Sequence, residues 1–138
     1  MKSKLHPHEN QPMNEKKILI IDDNSAWRYL VIHELQKQGY TTFSANNGIA
    51  GIETAKQNKP DLILLDILMP GIDGFEVCRI LKKDPLLKNI PIVFITAKAH
   101  KTDVILGLES GGTSYIVKPV KLEVILQKVI ELIGPPPA

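Results

Sequence analysis

The chain has 138 residues, 43% of them hydrophobic, enough for one compact domain with a buried core. Charged residues make up 23% and the net charge is +2, with no basic block set apart from the acids, which argues against nucleic acid and membrane surfaces as direct partners. With a single cysteine (Cys78), no apolar run near the length of about eighteen residues that a span needs, and no secretion signal at the start, the expected setting is the reducing cytoplasm.

Residues 1–15 carry two prolines, His6 and His8 but no apolar periodicity, and are expected to form a flexible leader whose histidines are solvated rather than metal-bound. Ile18-Leu19-Ile20-Ile21 reads as a buried strand that runs straight into Asp22-Asp23. Asn24 or Ser25 then caps a helix with Ala26, Leu30, Val31 and Leu35 at its apolar positions, and Gly39 stops it. Thr41 to Ser44 is a β-branched and aromatic strand. After the turn at Asn46-Asn47-Gly48, Ile49, Ile52 and Ala55 lie at helical spacing until Asn58-Lys59-Pro60.

Leu62-Ile63-Leu64-Leu65 is a strand buried on both faces, and it ends on Asp66 before the Pro70-Gly71 turn. An acid inside such a strand would cost several kcal/mol, so Asp66 belongs where the strand leaves the sheet. Gly74 to Lys83 is helical, with Phe75, Val77, Cys78, Ile80 and Leu81 on or near its buried stripe, and Asp84-Pro85 breaks it. Ile92 to Ile95 is the fourth strand and ends on Thr96. Lys101 to Ser110 is a weaker helix closed by Gly111-Gly112; Tyr115 to Val117 is a short strand that ends on Lys118-Pro119. Leu122, Ile125, Leu126, Val129 and Leu132 stripe the last helix before Gly134 and a proline-rich tail at 135–138.

Strands and helices thus alternate five times, which predicts a doubly wound α/β domain over residues 16–134: a five-stranded parallel sheet with helices on both faces. Parallel strands bring their carboxyl ends to one edge, where ligands of open α/β sheets bind. Asp22, Asp23, Asp66, Thr96 and Lys118 should therefore share a cleft. Three carboxylates held together need a cation, and all-oxygen ligation favours magnesium or manganese. A metal on one side and the Lys118 ammonium on the other suit a phosphoryl group. Asp66, central and single, is the candidate nucleophile; Asp22 and Asp23 would hold metal, and Thr96 and Lys118 would contact phosphoryl oxygens.

These residues, with Met69-Pro70-Gly71-Ile72-Asp73-Gly74, Thr96-Ala97 and Lys118-Pro119, resemble the receiver domain of two-component response regulators, of the chemotaxis-type single receiver, over about Lys16 to Ile133. The resemblance implies a flavodoxin-like sheet in the order 2-1-3-4-5 and a cis peptide at Lys118-Pro119. It implies a signalling switch rather than an enzyme, catalysing only its own phosphotransfer and slow autodephosphorylation. Asp66 would be the phosphoacceptor, served by a sensor histidine kinase or a His-phosphotransfer protein. Mg2+ (or Mn2+) would be held directly by Asp23, partly through water by Asp22, and by Asp66 and the backbone carbonyl of Leu68. Thr96 and Tyr115 would be the switch pair that reshapes a surface for a downstream protein target. Leu68 and Lys98 would flank the cleft and tune loss of the phosphoryl group, and Gly107 with Gly111-Gly112 marks the fourth helix as the mobile part.

Two departures stand out: Gly111-Gly112-Thr113-Ser114 precedes the switch aromatic where the family often has Ala and Asp, and Val120 follows Lys118-Pro119 where an aromatic is common. Both leave the cleft intact but unsettle any borrowed partner mode. A phosphatase of the haloacid dehalogenase type would want a second Asp two residues after the nucleophile, and Asp66-Ile67-Leu68 lacks it. A nucleotide-binding Rossmann module would want a glycine-rich loop after the first strand. The alternative that stays open is a receiver-like interaction module working without phosphorylation. The proline tail fits a lone receiver or the start of a linker, the lone receiver being preferred.

Overall fold

The structure is a computed structural model and describes residues 15–137. All but one residue of the expected leader, His6 and His8 included, lie outside the described residues. Five strands alternate with five helices: β1 (Lys17–Ile21), α1 (Ser25–Gln38), β2 (Thr41–Ala45), α2 (Gly48–Asn58), β3 (Leu62–Leu65), α3 (Gly74–Lys83), β4 (Ile92–Thr96), α4 (Lys101–Glu109), β5 (Ser114–Val117) and α5 (Leu122–Ile133). All pairings are parallel and the sheet order is β2-β1-β3-β4-β5. The doubly wound parallel fold is as the sequence pattern predicts, and the 2-1-3-4-5 order is as the resemblance implies.

Strand side chains alternate between faces, so each strand feeds two cores. Leu19, Ile21, Ile63, Leu65 and Phe94 pack with Ile52, Ala55, Phe75, Val77 and Leu81 of α2 and α3. Ile18, Ile20, Leu62, Leu64, Val93 and Ile95 pack with Val31, Leu35, Ile125 and Val129 of α1 and α5. Each fully buried Val, Leu, Ile or Phe among them contributes about 1.5–3 kcal/mol. Continuous aliphatic runs in β1, β3 and β4 are what a sheet covered on both sides requires.

Side chains and backbone punctuate the helices. Asn24, not Ser25, caps α1, its side chain accepting the Trp27 N–H at 3.0 Å; Asn47 caps α2 and Asp73 caps α3 in the same way. Gly39 closes α1 in the left-handed region at φ 113°. Some expected apolar positions face water: Ala26, Leu30 and Ile49 are exposed. Val31 and Leu35, four apart, define the inner stripe of α1, with Trp27 and Ile32 at its margins, and Leu30 falls outside that arc.

The described part of the proline tail folds back. Lys16 Nζ donates to the Pro135 carbonyl at 2.7 Å, the Tyr40 hydroxyl donates to Gly134 O at 2.7 Å, and Pro136 lies over Gly39. None of the described helices is long and apolar enough to cross a membrane.

Register sets the site. Ile21 pairs with Leu65, so Asp22 and Asp66 leave the sheet side by side, with the Asp66 N–H bonded to Ile21 O at 3.0 Å. Thr96 pairs with Val117, and Lys118 follows directly, its N–H bonded to Thr96 O at 2.8 Å.

Candidate functional site

The buried polar residues of the described chain are Asp22, Asp66 and Thr96, all at this carboxyl edge. Asp23 is exposed beside them, and one carboxylate oxygen from each of Asp22, Asp23 and Asp66 lies within 4.8 Å of the others. Lys118 reaches across from the end of β5: its Nζ is 2.8 Å from Asp22 Oδ2 and 3.5 Å from Asp66 Oδ2. The indole of Trp27, on the first turn of α1, lies 4.8 Å from the same ammonium.

The two oxygens of Asp66 are not equivalent. Oδ1 accepts the backbone N–H groups of Ile67 at 2.7 Å and Leu68 at 3.2 Å, which leaves Oδ2 facing Lys118. The backbone beneath is tight: a Cβ on Gly74 would collide with the Asp66 carbonyl and Ile67 Cα, so only glycine lets α3 begin against this strand end. Asp22 Oδ1 accepts the Asn24 N–H at 2.9 Å, and Arg28 Nη1 donates to the Asp22 carbonyl at 2.7 Å. Burial pushes the Asp22 carboxyl above its ordinary range and the Asp66 charge adds to that, against the hydrogen bonds from Lys118 and Asn24. Three carboxylates against one ammonium leave the cluster net negative, and its all-oxygen donor set fits a hard divalent cation.

Thr96 is fully buried, and its hydroxyl oxygen accepts only a long bond (3.4 Å) from the Lys98 N–H. Tyr115, half-buried, donates its hydroxyl to Lys98 O at 2.8 Å. Burial raises its phenol to about 12, with the charges of Asp103 and Asp66 adding. A Cβ on Gly107 would lie 2.9 Å from the Tyr115 ring and 3.2 Å from Phe94, so this glycine admits the ring under α4. A cleft of about 500 Å³ opens beside the acids, with Asp23, Leu68, Met69, Lys98, Asp103 and Leu106 among its walls. Leu68 is 50% exposed at its rim.

The sequence profile of the family described as "Response regulator receiver domain" matches residues 18–130. The chain belongs to that family. The receiver is 39% identical over 113 residues to the protein PilH of Pseudomonas aeruginosa, covering 82% of this chain and 93% of PilH. It is 42% identical over 108 residues to the transcriptional regulatory protein AfsQ1 of Streptomyces coelicolor, covering 78% of this chain but 47% of AfsQ1. Among solved structures, the Vibrio cholerae chemotaxis protein CheY4 superposes with a TM-score of 0.81 at 29% identity, over 86% of this chain and 98% of that one. The receiver therefore spans nearly the whole of PilH and CheY4 and about half of AfsQ1.

The fold gathers the carboxylates of Asp22, Asp23 and Asp66, and Lys118 reaches Asp22 and Asp66. Thr96 and Tyr115 both bond to the backbone of Lys98, one at its N–H and the other at its carbonyl. The Lys118-Pro119 peptide is cis, as the resemblance implies. Sequence reading missed Trp27, Arg28 and Asp103. Trp27 is the one tryptophan and falls on the helix turn after the acids, a signal that was present; nothing in the spacing of Lys98 and Asp103 announces their pairing.

Proposed function

We propose that the receiver accepts a phosphoryl group on Asp66 from a sensor histidine kinase or a His-phosphotransfer protein, in the cytoplasm, and that the acyl phosphate switches a surface read by a downstream protein. The observation that carries this reading is the asymmetry of Asp66: one oxygen is tied to two backbone amides and the other faces Lys118 beside two more acids. Asp66 Oδ2 attacks phosphorus, the phosphorus–nitrogen bond of the donor phosphohistidine breaks, and its electron pair returns to the imidazole. Lys118, already beside Asp66, meets the incoming phosphoryl oxygens as a compact charge, and the Thr96 hydroxyl, held by one long bond, is free to turn toward them.

Asp23, Asp22 partly through water, Asp66 and the Leu68 carbonyl would hold Mg2+ (or Mn2+), which would supply charge neutralisation for the transfer. Tyr115 then follows Thr96 through their shared neighbour Lys98, which joins the cleft to α4 and β5. The receiver acts on no separate substrate; it catalyses its own phosphotransfer and the slow loss of the group to water. The balanced charge favours a protein over a nucleic acid as the direct target of this domain.

The test is chemical. Incubation with acetyl phosphate and Mg2+ should give an adduct that hydroxylamine cleaves, as it does acyl phosphates, and that excess chelator prevents from forming. An adduct that resists hydroxylamine would be a phosphoester on a hydroxyl and would contradict the assignment.

A further inference from the structure

Lys98 is fixed at three points. Its N–H meets Thr96 Oγ1 at 3.4 Å, its carbonyl accepts the Tyr115 hydroxyl at 2.8 Å, and its Nζ lies 3.6 Å from Asp103 Oδ1 on the first turn of α4. With the backbone held from both sides, only the four-carbon stem is free to move. It has two destinations, Asp103 or the interior of the cleft whose walls it shares with Asp23 and Leu68. Asp103 is built to wait: its side chain is 14% exposed, and Oδ2 is held by the His100 N–H at 3.2 Å, which leaves Oδ1 aimed at Lys98. A separation of 3.6 Å is an ion pair without a good hydrogen bond, and so one that is readily given up.

We propose that Asp103 is a positioning residue for phosphotransfer: it holds the Lys98 ammonium against α4, in competition with the phosphoryl group on Asp66. The inference rests on the phosphoacceptor reading of Asp66. A phosphoryl group carries more charge than a single carboxylate and draws Lys98 off Asp103 into the cleft. Asp103 keeps its bond to His100 and remains where it is. Binding of the phosphoryl group is therefore weakened by whatever attraction Lys98 leaves behind, and the lysine is held back until the dianion arrives.

The experiment titrates the receiver with beryllofluoride, a stand-in for the phosphoryl group, at saturating Mg2+ by calorimetry. Wild type, Asp103→Asn, Lys98→Ala and the double variant are compared. Asn retains an acceptor for the His100 N–H while removing the charge, and Asp103→Ser is a second variant of the same kind; thermal midpoints report that each is folded. The expected result is an affinity about two- to fivefold higher for Asp103→Asn, the size of a partly exposed ion pair, and no gain from the same change once Lys98 is alanine. Equal gains in both backgrounds would mean that Asp103 acts by its field alone, and no gain in either that it holds nothing back; both overturn the proposal. Wild type that binds no beryllofluoride would instead contradict the phosphoacceptor reading itself, and this inference with it.

Discussion

Lys118 bonds Asp22 at 2.8 Å and reaches Asp66 only at 3.5 Å, so the ammonium that should meet the phosphoryl group is held chiefly by a neighbouring acid. Asp22 is 2% exposed, and burial raises its carboxyl above the ordinary value of 3.8. A folded-state value above the unfolded one means that the folded form binds the extra proton between them. The ionised carboxylate therefore costs stability, fully above the folded value and not at all below 3.8. Asp22→Asn removes that cost at neutral pH, and its melting temperature is predicted to lie above that of the wild type. The advantage should shrink as pH falls toward 4, checked by thermal melts across that range. A less stable Asn variant at pH 7 would mean that the Lys118 pair outweighs the desolvation.

Tyr115 gives a prediction at the other end of the scale. Its phenol is raised from 10 to about 12, so below 10 its full contribution to stability is present, and it is lost as pH rises through about 12. Among the three tyrosines, Tyr115 should be the last to form phenolate in an absorbance titration, and Tyr115→Phe should delete that final step. Persistence of the step would assign it to Tyr40, also raised by burial.

How much of this was legible follows physical lines. Runs such as Ile18 to Ile21 and Leu62 to Leu65 are aliphatic because both faces are covered, and that constraint shows in sequence as plainly as the acids that end each run. Parallel pairing then brings Asp22, Asp66 and Lys118 together without knowledge of any side-chain geometry. Contacts set by rotamers were not readable: the Trp27 ring beside Lys118, the unequal bonding of the two Asp66 oxygens, and the pairing of Lys98 with Asp103. Nor was the exposure of Leu30, because the α1 sequence fits more than one apolar arc until the sheet chooses Val31 and Leu35.

Leu68 stands at the rim of the cleft, 50% exposed and two residues past Asp66, the proposed phosphoacceptor. An apolar side chain there offers no hydrogen bond to hold or aim an attacking water. Leu68→Asn is predicted to speed loss of the phosphoryl group several-fold, measured as decay of the phosphorylated form after donor removal. An unchanged rate would remove Leu68 from the control of lifetime.

The most direct test is the intact mass of wild type and Asp66→Asn after incubation with Mg2+ and acetyl phosphate. A gain of one phosphoryl group, about 80 Da, is expected on the wild type alone. The same gain on both would show that the nucleophile lies elsewhere, and no gain on either, with Mg2+ shown to bind and no transfer from a phosphorylated kinase, would contradict the phosphoacceptor reading.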